Sequence, residues 1–398
     1  MLLTVLKTLF PLLVGASIAY YLLCLLAASR FFAKDRFRSA SPPPPGASPL
    51  RPPASILVPL CGVDFEAYEN YASLCRQDYP TFQIVFGVQD PADSSIAVIR
   101  RLMADFPSID IKLVIGRDAA GQNPKVNNLH NMLPYAKYDI LVIADSDIRV
   151  KPDYLETVAS PLADSTIGLT TCFYRAGSAP SLGARLEAAG ISAEFAPGVL
   201  TANMLEGLSF ALGATMAVTR RSLNAAGGFS ALADYLADDF MLGSLVHRQG
   251  FSLLLLPYTV ETLLPPLSLK GMIAHQIRWA RGIHACRPWG HFGSVVSHGL
   301  VLAALNVLVQ SASPFSAALF ALTAILRLAT AWRVGVVGLS DSLLKRYFWL
   351  IPLRDIFSFC FWWAALAGKE VDWRGQRYRL VGDGKIRPVE PKTEKAVP

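Results

Sequence analysis

Two carboxylates one residue apart, Asp145 and Asp147, directly follow the apolar residues 141–144, which predict a short buried strand. In an extended chain, residues i and i+2 point the same way, so both side chains can face one cation. Mg²⁺ or Mn²⁺ is held in this way beside a substrate phosphate, and ligands of α/β sheets sit at the carboxyl ends of strands. A polar turn that closes the strand is the alternative interpretation, because the pattern is short.

Three further polar residues stand where a nucleotide or its diphosphate can bind. Asp90 follows the predicted strand 82–88 and can accept hydrogen bonds from a nucleobase or ribose; a turn aspartate before Pro91 is the alternative. Lys125 and Asn128 lie at the start of a predicted helix, where a lysine can meet a diphosphate. A surface lysine on a capped helix is the alternative for Lys125.

A second acidic pair, Asp238 and Asp239, precedes apolar residues with helical spacing. One aspartate can cap that helix, and the other can act as a general base. Transfer of a sugar to an alcohol needs a carboxylate that takes the hydroxyl proton as the oxygen attacks. The charge of a leaving diphosphate needs a metal ion and cationic side chains. We therefore assign the base to Asp239 and the metal to Asp145 and Asp147.

A basic and aromatic group, His275, Arg278 and Trp279, precedes the C-terminal apolar segments. Arg278 can meet the diphosphate. An amphipathic helix at a membrane interface is the alternative, because Trp favours such interfaces. The two interpretations are compatible with each other.

Alternating strand and helix patterns must position these residues. Strands are predicted at 55–60, 82–88, 111–115 and 140–144, with helices between them at 64–77, 93–105 and 125–132. This alternation predicts an α/β domain with a mostly parallel, Rossmann-like sheet.

The composition indicates a membrane protein rather than a nucleic-acid-binding one. Of the 398 residues, 53% are hydrophobic and 17% are charged, and the net charge is +7. The basic residues flank apolar runs and form no basic-aromatic motif of the kind that binds nucleic acid. An anionic membrane surface is therefore the expected partner, and nucleic acid is not. The six cysteines are scattered, which argues against a zinc site or a disulfide framework and fits a reducing compartment.

The N-terminal residues 8–29 carry no charge and are long enough for one crossing of a bilayer core of roughly 30 Å. A cleaved signal peptide is the alternative, which the length of the run disfavours. A positive cluster follows at Arg30, Lys34, Arg36 and Arg38, and such clusters face the cytoplasm. Prolines 42–45 predict a stiff spacer.

The C-terminal third is apolar again. Residues 293–326 are uncharged, and Pro314 predicts two crossings joined near it. A third stretch, 347–368, contains Arg354 and Asp355, which are costly at bilayer depth; we expect them to be paired or the segment to lie in the interface. The basic residues that follow predict a cytoplasmic tail. An even number of crossings after the catalytic domain would place this tail in the cytoplasm, whereas three crossings would not. The sequence leaves the number of crossings open.

The chain thus divides into five predicted parts, and this division predicts a multi-pass membrane protein with a cytoplasmic catalytic domain. The parts are an N-terminal transmembrane helix (1–32), a Pro-rich linker (33–54), a catalytic domain (55–285), C-terminal transmembrane or interfacial helices (286–368) and a cytoplasmic tail (369–398).

The order of these motifs resembles that of membrane-bound, processive-type inverting glycosyltransferases. More closely, the chain is similar to the ceramide glucosyltransferase family and to its bacterial branch of hopanoid-associated glycosyltransferases, a likeness that implies a bacterial inner membrane. The resemblance covers nearly the whole chain and rests on Pro59-Leu60-Cys61-Gly62-Val63-Asp64, Val88-Gln89-Asp90, Pro124-Lys125-Val126-Asn127-Asn128-Leu129, Asp145-Ser146-Asp147-Ile148-Arg149-Val150, Asp238-Asp239-Phe240 and Arg278-Trp279.

The resemblance implies a GT-A fold, a UDP-sugar donor, Mg²⁺ or Mn²⁺, and inversion at C1 to give a β-linked glycolipid. It implies metal and diphosphate contacts at Asp145 and Asp147, and the base at Asp239. With the residue patterns, it predicts nucleotide-sugar contacts at Asp90, Lys125, Asn128, Asp145, His275, Arg278 and Trp279.

Three positions depart from the family pattern. His275 stands where the family has Gln or Arg, and Asp238 replaces the usual Glu. Glu194, which we assign to the acceptor side, occupies a position where the ceramide enzymes have His. The choice of lipid acceptor therefore does not follow from the resemblance, and ceramide and, as the alternative, a hopanoid polyol are both open.

Three functions are compared. The first is transfer of glucose or N-acetylglucosamine to a membrane lipid such as ceramide or bacteriohopanetetrol. The second is a processive polysaccharide synthase, which needs more membrane helices than this chain offers. The third is a non-catalytic membrane scaffold, against which the complete set of carboxylates argues.

Overall fold

A mixed sheet of eight strands forms the centre of the protein. The computed structural model describes residues 2–40, 50–373 and 375–389. The strands of the sheet are β1 (Ala54–Pro59), β2 (Phe82–Val88), β3 (Asp110–Ile115), β4 (Ile140–Ala144), β5 (Ile148–Arg149), β6 (Ile167–Ser178), β7 (Thr215–Thr219) and β8 (Ser252–Leu263). Their order is β3-β2-β1-β4-β7-β6-β8-β5, and the predicted α/β class is confirmed.

The first four strands run parallel, with β1 between β2 and β4. Continuous apolar runs make β1 and β4 buried along their whole length, as is typical of strands covered on both faces. The observed bounds of β2 and β4 are the predicted ones, whereas β1 and β3 each begin one residue earlier.

The second half of the sheet holds the segment between β4 and β5. Strand β7 is antiparallel to β4, and the long strands β6 and β8 pair in parallel with each other. The backbone N–H of Asp145 donates to the carbonyl of Ala214 at 3.1 Å, and the N–H of Leu263 donates to the carbonyl of Asp147 at 2.8 Å. The acidic segment is therefore fixed from both sides.

Helices cover both faces of the sheet. The α-helices of the chain are α1 (Leu2–Ala40), α2 (Ala67–Cys75), α3 (Ser95–Asp105), α4 (Pro124–Met132), α5 (Tyr154–Ala159), α6 (Leu182–Gly190), α7 (Ala196–Glu206), α8 (Arg220–Ala225), α9 (Asp238–Arg248), α10 (Leu269–Cys286), α11 (Pro288–Gly293), α12 (Gly299–Val309), α13 (Pro314–Ala331), α14 (Ser342–Arg346) and α15 (Ile351–Leu366). Helices α2, α3 and α5 pack on one face, and α4, α8 and α9 pack on the other.

Four stretches of the described residues are long and apolar enough to cross a membrane, which marks the chain as a membrane protein. They are Leu2–Ala33, Pro288–Val309, Pro314–Gly338 and Phe348–Leu366. The break at Pro314 falls where the sequence predicts it, and the predicted span 8–29 lies inside the first stretch. The prolines 42–45 of the predicted spacer lie outside the described residues.

The two charges of the last apolar stretch are buried and paired. Asp355 accepts hydrogen bonds from Arg327 of α13, the shortest at 2.6 Å. Arg354 lies 3.0 Å from the carboxylate of Glu194. These partners come from other segments, so the charges connect α15 to its neighbours.

A small second sheet follows the membrane helices, within residues 369–398, which the sequence predicts to be a cytoplasmic tail. It consists of β9 (Glu370–Trp373), β10 (Gln376–Leu380) and β11 (Ile386–Pro388). Its backbone is tied to the segment before α9, because Leu236 donates to Gly384 at 3.1 Å and Ile386 donates to Asp234 at 2.8 Å. This part of the tail is therefore folded against the catalytic unit.

Candidate active site

The acidic segment after β4 presents two carboxylates at the edge of the parallel strands. Asp145 Oδ1 lies 2.7 Å from the Nζ atom of Lys125. Asp147 Oδ2 accepts a 2.9 Å hydrogen bond from the Thr262 hydroxyl of β8. Between them, Ser146 donates its hydroxyl to Asp64. The strand end and its neighbours thus hold both side chains in defined positions.

The two carboxylates affect each other electrostatically. Burial, together with the negative charge of Asp145, raises the pKa of Asp147 to about 7. Like charges held close together favour a cation that relieves their repulsion. The described residues contain no group of three His, Cys, Asp or Glu side chains suited to a metal. A metal ion at Asp145 and Asp147 stays a prediction, in which a substrate phosphate and water would complete the shell.

Lys125 connects the two acidic pairs. It stands in the first turn of α4, where Asn123 caps the helix by accepting from the N–H of Lys125 at 2.9 Å. Its Nζ atom lies 2.7 Å from Asp145 and 3.5 Å from Asp238. Burial alone would lower the pKa of Lys125, but the charges of Asp145 and Asp238 outweigh it and raise that pKa. Lys125 is therefore a permanent cation between carboxylates.

Asp239 lies at the N-terminus of α9, where a negative charge is favoured by the helix dipole. Burial, and then the charge of Asp238, raises the pKa of Asp239 to about 6. A Cβ atom on Gly213 would lie 2.7 Å from Asp239 Oδ2, so the backbone passes directly against this carboxylate. Because Ala214, the next residue, accepts from Asp145, one short segment touches both acidic pairs.

Asn128 and Asp90 take part in local hydrogen bonds. Asn128 is 4% exposed, and its side-chain amide donates to the carbonyl of Leu60 at 2.8 Å. Asp90 is exposed at the end of β2 and accepts from the N–H of Ala92 at 2.9 Å, as in an Asx-turn. Nucleotide contacts at these two residues remain predictions, and the geometry of Asn128 indicates that it holds the end of β1.

The predicted basic and aromatic group lies on α10. The Nδ1 atom of His275 lies 2.8 Å from Glu187 Oε1, and its ring meets that of Trp279 edge to face at 4.9 Å. The guanidinium of Arg278 lies over the ring of Trp373 at 6.0 Å. Their contacts with a nucleotide sugar remain predictions.

Glu194 lies apart from the carboxylate pairs, among the membrane helices. It accepts from Arg354 Nε at 3.1 Å and from the Ser358 hydroxyl. A cavity of about 10 Å³ beside it has room for one water molecule. Its lining residues are Tyr20, Tyr21, Ala193, Glu194, Pro197, Ser297, Arg327 and Thr330.

Tyr174 of β6 is half-buried, and the charges of the acidic pairs act on it. Burial raises the pKa of Tyr174, and the charges of Asp239, Asp145, Glu187 and Asp147 add to this effect. Its ring packs at 5.4 Å from that of Phe195. Tyr174 therefore packs against the residue that follows Glu194, and its pKa responds to the charges of the carboxylates. Its strand shows no motif in the sequence that could have identified it.

Comparison with known proteins identifies relatives of the chain. The family model of glycosyl transferase family 21 matches residues 9–386. Ceramide glucosyltransferase 1 from Caenorhabditis elegans is 27% identical over 207 residues, which are 51% of this chain and 43% of that protein. Ceramide glucosyltransferase from Candida albicans is 36% identical over 114 residues, which are 26% of this chain and 21% of that protein. The matches thus span less than half the length of these relatives.

A solved structure with the same fold is the mannosyltransferase PcManGT from Pyrobaculum calidifontis, in complex with GDP-Man and Mn²⁺. The TM-score is 0.54 at 20% sequence identity, and the match covers 91% of this chain and 97% of that one. This likeness confirms the predicted GT-A fold. Because the family model spans nearly the whole chain, the protein belongs to glycosyl transferase family 21, the ceramide glucosyltransferase family.

Proposed function

We propose that the protein is a membrane-bound, inverting glycosyltransferase that moves a hexose from a UDP-sugar to the hydroxyl of a membrane lipid. The observation that carries the proposal is the convergence of two acidic pairs on one cation. Lys125 contacts both Asp145 and Asp238, and Asp239 follows Asp238 directly. Family membership and the apolar helices support a sugar donor and a lipid acceptor.

The residues after β4 and on α10 would bind the donor. Mg²⁺ or Mn²⁺ held by Asp145 and Asp147 would supply positive charge to the diphosphate as it leaves. Arg278 and His275 would contact the diphosphate from α10. Asp90, exposed at the end of β2, would contact the nucleoside.

Asp239 would act as the general base. Its carboxylate is half-buried, and its pKa of about 6 leaves it ionised at neutral pH, with appreciable affinity for a proton. The lipid hydroxyl would give its proton to Asp239 as the oxygen attacks C1 and the bond to the diphosphate breaks. Attack from the side opposite the leaving group inverts C1. Gly213 leaves room for this carboxylate, because a Cβ atom at that position would lie 2.7 Å from Asp239 Oδ2.

The helix ends support two crossings after the catalytic domain. Gln310, between α12 and α13, donates to the carbonyl of Lys7 at 2.7 Å, near the start of α1. Leu339, after α13, accepts from Arg175 of β6 at 2.6 Å. Helices α12 and α13 would therefore form a hairpin that leaves the catalytic side and returns to it.

Helix α15 would lie in the interface along α10. Arg354 of α15 donates to Gln276 of α10 at 2.7 Å. Beyond the other end of α15, Ala367 accepts from Arg281 of α10 at 2.7 Å. Because both ends of α15 contact α10, α15 does not cross the membrane in this arrangement, and the second sheet stays on the catalytic side. The two crossings by α12 and α13 are therefore consistent with a cytoplasmic tail.

Labelling of single cysteines by a membrane-impermeant maleimide tests this arrangement. The variants are Met103→Cys in α3, Ser311→Cys in the hairpin turn and Gly382→Cys in the second sheet, with the natural cysteines as background. We expect positions 103 and 382 to react from the cytoplasmic side and position 311 from the opposite side. Reaction of 311 and 382 from the same side would contradict two crossings.

Mass spectrometry of lipid products tests the proposed reaction. The purified protein is supplied with UDP-glucose or UDP-N-acetylglucosamine, Mg²⁺ or Mn²⁺, and either ceramide or a hopanoid polyol. We expect one sugar per lipid. We propose glucose as the sugar and ceramide as the acceptor first, because the curated relatives are ceramide glucosyltransferases. Transfer of N-acetylglucosamine to a hopanoid polyol is the alternative, because Glu194 departs from the family pattern. A sugar polymer as the product would indicate a polysaccharide synthase. Absence of UDP release would indicate a non-catalytic scaffold.

A further inference from the structure

The second sheet is bonded to the segment that leads into the candidate base. Residues 234–236 run antiparallel to part of its β10–β11 hairpin. Ile386 donates to the carbonyl of Asp234 at 2.8 Å, and Leu236 donates to the carbonyl of Gly384 at 3.1 Å. Helix α9, which carries the second acidic pair, begins two residues after this segment. The hairpin thus holds the backbone that leads to that pair.

The side chain of Leu236 also packs into the second sheet. Leu236 is 9% exposed, and the other buried members of its hydrophobic cluster all come from that sheet: Val371, Tyr378, Leu380 and Ile386. A close-packed cluster of this kind favours one position for each side chain in it. The second sheet therefore holds both the backbone and an apolar side chain of residues 234–236.

The same segment contacts the cap of the helix that carries Lys125. The N–H of Asn123 donates to the carbonyl of Ala233 at 2.7 Å, and its side-chain amide donates to the carbonyl of Tyr235 at 2.7 Å. The side-chain oxygen of Asn123 accepts from the N–H of Lys125, whose Nζ atom contacts both acidic pairs. A chain of hydrogen bonds therefore leads from the second sheet, through residues 233–236, to the helix of this cation.

The second sheet also contacts α10. A Cβ atom on Gly384 would lie 2.6 Å from the Sγ atom of Cys286, the last residue of α10, so the hairpin and the helix approach each other closely. In β9, the ring of Trp373 lies 6.0 Å from the guanidinium of Arg278. The sheet therefore joins α10, with its predicted diphosphate contacts, to the segment before the predicted base.

We propose that the second sheet is a positioning element of the active site, which holds residues 234–236 and so sets where the acidic pair of α9 stands relative to Lys125. The inference rests on the proposed function, in which Asp239 is the base. Misplacement of a reacting group by about 1 Å can cost about 10²-fold in rate. Loosening the hairpin should therefore slow the chemical step.

Two glycines of the second sheet offer a matched pair of substitutions in the full-length protein. Gly375 and Gly384 both have a φ of +80°, so alanine strains the backbone at both positions. A Cβ atom at position 384 would press on Cys286, whereas one at position 375 would meet no described atom within 4 Å. Gly384→Ala should therefore displace the hairpin, and Gly375→Ala is the control for strain alone.

Hydrogen exchange and kinetics on the same samples test the two steps of the inference. In Gly384→Ala, we expect the amides of residues 233–239 to exchange about tenfold faster or more, and kcat for transfer to fall about 10–100-fold. In Gly375→Ala, both quantities should stay within about twofold of the unchanged protein. The affinity for UDP with Mn²⁺ should stay within about twofold in both variants, because the predicted metal pair is left in place.

A second variant covers the case in which Gly384→Ala does not fold. Ile386→Ala shortens a buried side chain of the cluster around Leu236 and should give the same two effects. Melting temperatures report whether each variant folds.

Three results would overturn the inference. Faster exchange of residues 233–239 without a loss of kcat would show that the segment does not position the base. Unchanged exchange in folded Gly384→Ala and Ile386→Ala would show that the sheet does not hold the segment. A loss of kcat in Gly375→Ala equal to that in Gly384→Ala would assign the effect to strain within the sheet. Failure of the unchanged protein to release UDP would instead overturn the proposed function, while hydrogen exchange would still test the contact.

Discussion

The pH dependence of transfer should report the environment of Asp239. Burial, reinforced by the charge of Asp238, raises its pKa to about 6. A general base acts only when it is ionised. We therefore expect kcat/KM to be level above about pH 7 and to fall about tenfold for each pH unit below about 6. Asparagine at position 239 cannot accept a proton, so Asp239→Asn should lower kcat by roughly 10²–10⁴-fold.

Initial rates of UDP release between about pH 5 and pH 8 measure this effect. Saturating Mn²⁺ keeps the metal pair ionised, so the profile reports the base. UDP affinity should stay within about twofold in Asp239→Asn, because the base faces the acceptor rather than the nucleotide. Asp234→Asn is the matched control: Asp234 is exposed, and the 3.1 Å hydrogen bond that it accepts from Gln122 is one that asparagine can also accept.

Undiminished turnover by Asp239→Asn would refute the assignment of the base. So would a profile of the unchanged protein that stays level to about pH 5, since an ionised base cannot then be required. A parallel loss in Asp234→Asn would show that the substitution acts through folding instead.

Three other changes have definite expected outcomes. Gly213→Ala would put a Cβ atom 2.7 Å from Asp239 Oδ2, so initial rates should fall by about 10²-fold. Gly198→Ala should be neutral, because its Cβ atom would meet only the Tyr20 hydroxyl, at 3.9 Å. Mn²⁺ affinity, measured by calorimetry, should weaken below about pH 7, because protons compete for Asp147. Asp355→Asn leaves Arg327 buried without its counter-charge and should lower the free energy of unfolding in detergent by about 3–5 kcal/mol.

The parallel half of the sheet is predictable because its strands are buried on both faces. Their apolar runs are continuous, so β2 and β4 are found at the predicted residues. The position of the Asp145 and Asp147 pair follows from the end of β4. Local sequence is sufficient in this half.

The second half of the sheet is not predictable in the same way. Strands β6 and β8 contain polar residues and pair with each other across about 85 positions, with register shifts. Their partners are set by tertiary contacts and not by local pattern. Thr262 donates to Asp147, and Tyr174 is affected by the charges of the carboxylates. Both lie in these strands, so no local pattern identifies them.

The membrane arrangement also depends on contacts between distant segments. Hydropathy finds the apolar stretches but cannot tell a crossing from a helix in the interface. The pairing of Arg354 with Glu194 joins segments about 160 residues apart.

A structure of the protein with UDP and Mn²⁺ bound would examine the proposed chemistry at the atoms themselves. We expect the ion to contact a carboxylate oxygen of both Asp145 and Asp147 at about 2.1 Å, and to contact the diphosphate as well. The carboxylate of Asp239 should face the same pocket, within hydrogen-bond reach of a bound acceptor hydroxyl, about 3 Å. An ion or nucleotide bound away from these aspartates, or Asp239 turned out of the pocket, would contradict the proposal.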